Sequence, residues 1–426
     1  MKKIISFIGM ALITAIPAFS DTPTLEDVSF EEAGGNYYCY PWLNTAPPAQ
    51  TPVPVGYEPF HMEHYGRHGS RWLIGDRQYN TAFDFLDKAD KAGKLTPLGK
   101  KTLEAVKTIR EDSYRRDGEL SDNGALQHKG IGERMAKNYP QIFNHRTNID
   151  ARSTVVIRSI LSMFNGLKGI QSVVPNINIK TDASEADMWY MNYWDDEFGS
   201  LQQRVDTTLM RDFNKRHANK GEYLAKIIND PQYATDSIGS KLFNSLYSVL
   251  ANAQSHSDQP WLVEEVFTPE EVRERWLCRN ANWFAHNGNS KVTDNRMPFK
   301  QANLLRNIIE SADTAITSQT PSANLRYGHD TIVMPLTVLL ELGQFGEEIN
   351  DFEELAAKGW HDYLAIPMAG NIQIVFYRKP GSLNPDDVLV KVLLNEREMT
   401  LPIDRNSGPY YKWTDFRDYY LNKLNK

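Results

Sequence analysis

The fold that this sequence predicts is decided by the stretch Pro59-Phe60-His61-Met62-Glu63-His64-Tyr65-Gly66-Arg67-His68-Gly69-Ser70-Arg71. Its first part, Pro59–Tyr65, has the composition of a β-strand. The loop Arg67–Arg71 then places two arginines around a histidine and a glycine. Arginine offers a planar fork of donors that suits phosphate oxygens, and Gly69 lets the backbone approach a ligand closely. A neutral His68 with one ring nitrogen hydrogen-bonded has the other free to attack.

Two other interpretations of this loop stay open on these residues alone. The loop could be a solvated basic turn, or His61, His64 and His68 could hold a metal ion. Side chains alternate along a strand, so His61 and His64 point to opposite faces. Met62 also stands where the zinc-protease pattern requires Glu. We therefore predict no metal site here.

Strands and helices alternate on the C-terminal side of this stretch. The further predicted strands are Asn148–Ser153, 176–182, Ala323–Tyr327, Asn371–Arg378 and Val388–Leu394. The predicted helices cover 77–92, a segment capped by Thr96 and ending at Tyr114, another capped by Ser121 and ending at Asn138, Val155–Leu167, 302–317 and Thr331–Leu342. This order predicts an α/β three-layer sandwich with a central, mostly parallel sheet. Binding sites in such folds lie where loops leave the carboxyl ends of strands.

The strand pattern disappears between about residues 183 and 300, where helical, aromatic-rich sequence takes over. We interpret residues 183–300 as a smaller, mostly helical inserted domain that caps the substrate side. Residues 21–182 and 301–426 then form the α/β core. Residues 21–58 are rich in Pro, Gly and Asn and predict an irregular surface wrap.

The first twenty residues have the layout of a secretory signal peptide. Lys2 and Lys3 precede an apolar run from Ile4 to Ile16, and Pro17–Ser20 supplies small residues before a predicted cut at Asp21. The apolar run is too short to span a membrane, although an anchored N-terminal helix is the alternative. The sequence thus predicts a periplasmic or secreted protein without stable membrane insertion.

Charge limits the partners of this chain of 426 residues, whose net charge is −7. A nucleic-acid-binding protein usually shows a basic stripe, so no nucleic-acid partner is predicted. An acidic chain that binds an anion needs a local cationic pocket, because its overall field repels anions. Cys39 and Cys278 could pair in an oxidising compartment, but they lie far apart in sequence, and free thiols are the favoured interpretation.

A second strand-end loop lies in Arg152-Ser153-Thr154-Val155-Val156-Ile157-Arg158-Ser159, which leaves a predicted strand and enters a helix. Ser153 or Thr154 is predicted to cap that helix, which places Arg158 near the end of its first turn. A cation there is mildly disfavoured by the helix dipole, unless an anion is bound at the helix end. Arg158 is therefore either a surface arginine or an anion ligand.

A third loop, His329-Asp330-Thr331, follows Gly328 and opens the predicted helix that ends at Leu342. Aspartate is a favoured helix cap, so Asp330 could have that role alone. The other interpretation is a carboxylic acid that gives its proton to a departing oxygen.

Taken together, these loops resemble the motifs of the histidine phosphatase superfamily, specifically its acid phosphatase and phytase branch. Arg67–Arg71 resembles the family's signature, Arg152–Ser159 its Arg-Ser-Thr…Arg-Thr/Ser element, and His329-Asp330-Thr331 its second hallmark. Leu120–His128 is similar to the family's Leu-Thr/Ser-x-x-Gly-x-x-Gln helix start. The resemblance covers most of the chain beyond residue 59 and is weak between 183 and 300.

This resemblance implies a two-step phosphomonoesterase reaction that needs no metal or other cofactor. It implies that His68 accepts the phosphoryl group and that Asp330 is the general acid, so we expect an acid-shifted pH optimum. Arg152 is implied to be structural. The implied phosphate-binding residues are Arg67, Arg71, Arg158 and His329.

The substrate is predicted only as a small phosphorylated molecule. The helix Thr331–Leu342 and the segment Pro409-Tyr410-Tyr411 are similar to the multiple inositol polyphosphate phosphatase branch, which usually carries His-Ala-Glu where this chain has His329-Asp330-Thr331. Inositol polyphosphates such as phytate are therefore candidate substrates, for which Arg77 is a candidate additional cation. Two alternatives are an inactive exported binding protein of the same fold and a phosphoglycerate-mutase-like transferase.

Overall fold

The computed structural model describes residues 28–230, 232–233, 236–256 and 262–425. The predicted signal peptide, residues 1–20, lies outside the described residues. None of the helices in the described part is long and apolar enough to cross a membrane.

A single eight-stranded sheet forms the centre of the fold. Its strands are β1 Glu58–Arg67, β2 Asn148–Ser153, β3 Asn178–Asp182, β4 Ser322–Gly328, β5 Asn371–Arg378, β6 Val388–Leu394, β7 Arg397–Glu398 and β8 Tyr411–Lys412. Their order in the sheet is β3-β2-β4-β1-β5-β6-β7, with β8 paired to β6. The strands β3, β2, β4 and β1 run parallel, and β5 pairs antiparallel to both β1 and β6.

Helices connect the strands. They are α1 Asp76–Lys91, α2 Pro97–Asp112, α3 Asp122–Asn138, α4 Ile157–Val173, α5 Met188–Met191, α6 Asp196–Val205, α7 Arg211–Arg216, α8 Tyr223–Ile227, α9 Asp236–Asn252, α10 Val263–Val266, α11 Pro269–Asn287, α12 Ala302–Ile316, α13 Asp330–Leu339, α14 Asp362–Ala365 and α15 Trp413–Leu424. The side chains of Thr96 and Ser121 accept hydrogen bonds from the first turns of α2 and α3, which confirms both predicted caps.

Two apolar cores, one on each face of the sheet, give the fold its three layers. Along β5, Ile372, Ile374 and Phe376 enter the core formed with α12, α13 and α15, while Val375 and Tyr377 enter the core formed with α3 and α4. Alternation of side chains along a strand produces this division. The predicted α/β three-layer sandwich with a mostly parallel sheet is confirmed.

Residues 183–300 contain α5 to α11, and their described part has single β-bridges but no strand. Trp276 of α11 and Leu246 of α9 are fully buried in the same apolar cluster as Ile332 of α13. Helices of this stretch therefore pack directly onto the element that follows the third loop. The boundaries of the inserted domain stay a prediction.

The predicted cap of α4 was wrong. The helix begins at Ile157, and its cap residue is Val156, which has no side-chain oxygen to accept a hydrogen bond. The Thr154 hydroxyl instead contacts His329 Nε2 at 3.1 Å, and the Ser153 hydroxyl donates to the Thr154 carbonyl. Both hydroxyls thus form their hydrogen bonds elsewhere and neither caps α4, so the helix starts later than predicted.

Cys39 and Cys278 are both free thiols in the structure. The Cys39 thiol donates to the Gln254 carbonyl, and that of Cys278 to the His217 carbonyl. The two thiols thus have separate partners and are not paired with each other.

The close packing of α3 on α4 depends on glycines. A Cβ atom at Gly132 would lie 2.0 Å from the Gly166 carbonyl oxygen, whereas at Gly130 the nearest atom, at 3.0 Å, is the flexible Arg134 guanidinium. Backbone atoms cannot move aside as the end of a flexible side chain can. Of these two positions, 132 is therefore the one that requires glycine.

We expect Gly132→Ala to lower the free energy of unfolding by about 1–3 kcal/mol through overpacking. Gly130→Ala, two residues away in the same helix, should raise it by roughly 0.5–1 kcal/mol, because alanine is the better helix former. Urea unfolding of both variants measures the difference. Equal stability of the two variants would contradict the packing described for these helices.

Candidate active site

The three loops identified in the sequence meet at one edge of the sheet. Strands β2, β4 and β1 are adjacent and parallel, with Ser153 opposite Tyr327 and Arg67 opposite Gly328. Because parallel strands end at the same edge, the segments that follow them emerge side by side. Main-chain hydrogen bonds join the loops there, from His68 N to the Gly328 carbonyl at 2.8 Å and from Thr154 N to the Tyr327 carbonyl at 2.9 Å.

The loop Arg67–Arg71 is held by hydrogen bonds to its main-chain amides. Gly69 N donates to Ser162 Oγ of α4 at 3.1 Å, and Ser70 N donates to Gln127 Oε1 of α3 at 2.8 Å. The Gln127 amide nitrogen also donates to Ser70 Oγ at 2.9 Å. Gln127 therefore fixes the loop at two atoms, which gives a physical reason for the glutamine in the motif that begins at Leu120.

Two glycines allow this loop to reach α3. A Cβ atom at Gly69 would lie 2.4 Å from the Gly124 carbonyl oxygen, and one at Gly124 would lie 2.2 Å from the Ser70 carbonyl oxygen. No side chain fits between the two segments. The first turn of α3 and the loop are thus in backbone contact.

His68 has the geometry of a nucleophile. Its Nδ1 lies 2.9 Å from the Gly69 carbonyl oxygen, and a carbonyl only accepts, so Nδ1 carries the proton and Nε2 keeps a free lone pair. The side chain is buried. Burial lowers the pKa of His68 well below its ordinary value, and the positive charges of Arg67, Arg71 and Arg158 add to this effect. The ring therefore stays neutral further into acid than that of an ordinary histidine.

Three arginines face His68 with one carboxylate among them. Arg67 is fully buried, donates to the Ile366 carbonyl, and pairs through Nη2 with Asp330 Oδ2 at 2.9 Å. Arg71 donates to the Trp72 carbonyl, and neither Arg71 nor Arg158 makes an ion pair within the described ranges. Burial and mutual repulsion lower the pKa of Arg67 and of Arg158 to about 10, still far above physiological pH. The site thus carries excess positive charge that an anion would neutralise.

Asp330 is the first residue of α13 and faces the same space. Its Oδ2 forms the ion pair with Arg67 and accepts a hydrogen bond from Asn36 Nδ2 at 3.1 Å, while its Oδ1 accepts from Thr331 N at 2.9 Å. Burial alone would raise the pKa of Asp330, but Arg67 and Asn36 outweigh it and lower the pKa to about 2. The cap residue of α13 is His329, so Asp330 is not merely a helix cap.

His329 lies beside His68, with the two ring centroids 5.8 Å apart and the rings nearly perpendicular. Burial lowers the pKa of His329 to about 4, and Thr154 fixes its Nε2. The six residues predicted for the site are therefore brought together. Sequence reasoning missed Asn36, Thr154 and Ser162, which contact them; a Gly-Gly-Asn segment within an irregular stretch was the only available signal for Asn36.

Arg152 and Arg77, which the sequence analysis also considered, lie outside this group of residues. Arg152 pairs with Asp150 and Asp187 and has no contact with His68, in agreement with a structural role. Arg77 is exposed on the first turn of α1.

A cavity of about 420 Å³ opens at the start of α13, next to Asp330. Amide, aromatic and cationic side chains line it, including Tyr193, Trp194, Gln202, Arg279, Trp283, Lys300 and Thr331. Lys300 is buried and donates to the His286 carbonyl and to Asn287 Oδ1, and Arg279 Nη2 donates to Asn36 Oδ1. Within the described part of the chain, neither cation has a carboxylate partner at ion-pair distance.

Comparison with known proteins places this site in a family. The family model of the histidine phosphatase superfamily (branch 2) matches residues 67–395, which is more than half of the chain. The protein therefore belongs to the histidine phosphatase superfamily (branch 2). A search of curated proteins gave no match.

Solved structures of the same fold come from several organisms. The multiple inositol polyphosphate phosphatase of Bifidobacterium longum, in complex with inositol hexasulfate, has a TM-score of 0.74 and 17% identity over 91% of this chain and 97% of that one. The phytase of D. castellii has a TM-score of 0.67 and 15% identity, with 93% and 85% of the two chains covered. A Hafnia alvei phytase has a TM-score of 0.51 and 11% identity, with 87% and 98% covered. These similarities show a shared fold.

The arginine cluster predicts how phosphate affects stability. We expect inorganic phosphate to raise the melting temperature of the wild-type protein, since a ligand present at 100 times its Kd stabilises by about 2.7 kcal/mol. Arg158→Met should be at least as stable as wild type without phosphate, because one repelling charge is gone, and should lose most of the phosphate-dependent increase. Thermal melts with and without phosphate measure both effects.

The matched control is Arg146→Met, at an exposed position in another loop. It should keep the full phosphate-dependent increase. An unchanged increase in Arg158→Met would show that Arg158 does not bind the anion.

Proposed function

We propose that this protein is an exported phosphomonoesterase that hydrolyses phosphate esters through a phosphohistidine at His68. The observation that carries the proposal is the free lone pair on His68 Nε2, held inside a group of three arginines by the Nδ1–Gly69 hydrogen bond. A neutral nucleophile among cations suits an anionic electrophile, because the cations stabilise the charge of the transferring group. Membership of the histidine phosphatase superfamily supports the same chemistry.

In the first step, His68 Nε2 forms a bond to phosphorus while the bond to the ester oxygen breaks. That oxygen takes a proton from Asp330, so that a neutral alcohol leaves. Arg67, Arg71, Arg158 and His329 bind the phosphoryl oxygens. Most of the rate enhancement then comes from positioning and from fixed positive charge.

In the second step, water attacks phosphorus and the phosphorus–nitrogen bond breaks. The Asp330 carboxylate accepts a proton from that water, and His68 returns to its neutral form. Both steps use the same residues, and neither requires a metal ion or other cofactor.

Protonation of the substrate complex favours reaction in acid. In the empty site the Asp330 carboxyl is ionised, because its pKa is about 2. A phosphate ester below about pH 6 is a monoanion, so the substrate can bring a proton that passes to the Asp330 carboxylate on binding and from there to the leaving oxygen. The bound phosphoryl group shares Arg67, the cation that keeps the pKa of Asp330 low, and this favours the transfer. The lowered pKa of His68 keeps its ring neutral further into acid than that of an ordinary histidine, which supports an acid-shifted optimum.

Inositol polyphosphates such as phytate are the proposed substrates. Arg279 and Lys300 line the cavity next to Asp330, on the side where the leaving group would lie, and burial lowers the pKa of Lys300 to about 7. Lys300 is therefore cationic in acid, and the two side chains can bind further phosphates of the same molecule. Two of the structures with this fold are a phosphatase and a phytase that act on such compounds by name.

Export rests on the N-terminal sequence, where residues 1–20 have the pattern of a signal peptide. A periplasmic or secreted location would give the enzyme access to phosphate esters outside the cell. The alternative is an exported phosphate-binding protein without turnover. The complete set of His68, Asp330 and arginines favours the enzyme, since binding alone needs neither a nucleophile nor an acid.

We expect His68→Ala to lower the turnover of an aryl phosphate by a factor on the order of 10³ or more, because no other group can take the phosphoryl group. The protein should still fold and bind phosphate. Exposed His145, changed to Ala, is the matched control and should retain wild-type turnover. The assay is phosphate release in the presence of a metal chelator. Substantial turnover by His68→Ala would exclude the proposed mechanism, and phosphate binding by an inactive wild type would favour the alternative.

The proposed substrate can be tested at Arg279. We expect Arg279→Gln to raise the KM for phytate about ten-fold, because one charge-assisted hydrogen bond to a second phosphate is lost. The KM for an aryl phosphate should change less than about three-fold. Arg211→Gln, at an exposed position in the same helical stretch, is the control. Equal changes for both substrates would argue against a second phosphate in this cavity.

A further inference from the structure

The segment that precedes β1 forms part of the active site. Its short 3-10 helix, Glu32–Tyr37, is buried from Ala33 to Asn36, although the sequence predicted an irregular surface wrap. The Tyr247 hydroxyl donates to the Ala33 carbonyl at 3.0 Å, and Cys39 N donates to Gln254 Oε1 at 3.0 Å. This segment is therefore fixed to α9 and to the turn that follows it.

Gly35 lets the segment pack closely at this place. Its φ of +59° is in the left-handed region, and a Cβ atom there would lie 2.6 Å from Asp362 Oδ2. A side chain at position 35 would strain the backbone and would push the 3-10 helix away from Asp362. The direction in which the next residue, Asn36, points is thereby set by packing on both sides of the segment.

The Asn36 side chain bridges the proposed general acid and a cation of the neighbouring cavity. Its Nδ2 donates to Asp330 Oδ2 at 3.1 Å, and its Oδ1 accepts from Arg279 Nη2 at 3.3 Å. Arginine only donates and the ionised carboxylate only accepts, so the orientation of the amide is determined. With an exposed fraction of 5%, the amide has little freedom to move.

We propose that Asn36 is a positioning residue that holds the Asp330 carboxyl towards the leaving oxygen during turnover. The inference rests on the proposed function. Asp330 Oδ2 has an ion-pair partner, Arg67, and a side-chain hydrogen-bond donor, Asn36. A bound phosphoryl group competes for Arg67, whereas the Asn36 amide is held by Arg279 on its other side and keeps its hydrogen bond to Asp330. A carboxyl oxygen retains a lone pair when protonated, so this hydrogen bond can persist in both protonation states of Asp330.

The test compares two esters that differ in their need for a proton. A dinitrophenyl phosphate expels a stable phenolate without protonation, while an alkyl phosphate such as glycerol phosphate depends on the acid. We expect Asn36→Ala to lower kcat for the alkyl ester about ten-fold, and kcat for the dinitrophenyl ester less than about two-fold. Asp330→Asn should show the same selectivity with a larger loss, up to the 10²–10⁴-fold typical of general acid catalysis.

Asn36→Leu provides a second variant, since it keeps the branched shape of the side chain but has neither an N–H donor nor a charge, and it should show the same selective loss. Glu31→Gln, at an exposed position just before the short helix, leaves the hydrogen bonds of Asn36 intact and should retain the wild-type ratio of the two rates. Equal losses on both esters, no loss on either, or a selective loss in Glu31→Gln would each overturn the inference. An inactive wild type would instead overturn the proposed function itself, and the two failures are thus distinguishable.

Discussion

The hydrogen bond from His68 N to the Gly328 carbonyl joins the two loops on which the site depends. It exists because β1 and β4 are parallel neighbours in register, so that Arg67 and Gly328 end their strands at the same level. The residues after each strand, His68 on one side and His329 with Asp330 on the other, must then face each other. A shift of one residue in this register would turn the side chains of one strand to the opposite face and separate the nucleophile from the acid.

Burial and charge act together on the groups that this pairing assembles. Burial lowers the pKa of His68 and favours its neutral form, while Arg67 and Arg158 stay protonated because burial lowers their pKa only to about 10. Among the described residues, Asp330 is the one carboxylate that pairs with this arginine group, through Arg67. A chain with a net charge of −7 thus concentrates positive charge at one point, which meets the requirement that an acidic protein faces when it binds an anion.

Much of this arrangement could be predicted from local sequence. The bounds of β2, β5 and β6 agree with the prediction, because their composition and alternation are local properties. The six proposed site residues lie at the end of a strand or within the few residues that follow it, where the parallel topology makes their meeting predictable. The contact of Asn36 with Asp330 could not be predicted, since the two residues are 294 positions apart and no periodic pattern links them. The late start of α4 was also missed, because the Thr154 hydroxyl binds a histidine from a distant loop rather than its own helix.

The most direct test of this account is to trap the covalent intermediate. Wild-type protein mixed with a good phosphate ester is quenched in alkali within milliseconds, digested, and the phosphorylated peptide is sequenced by mass spectrometry. Phosphohistidine is expected on the peptide that contains His68. Its amount should rise as the ester reacts and fall once the ester is consumed. Rapid turnover with no phosphorylated peptide, or a phosphoryl group on another residue, would contradict this account.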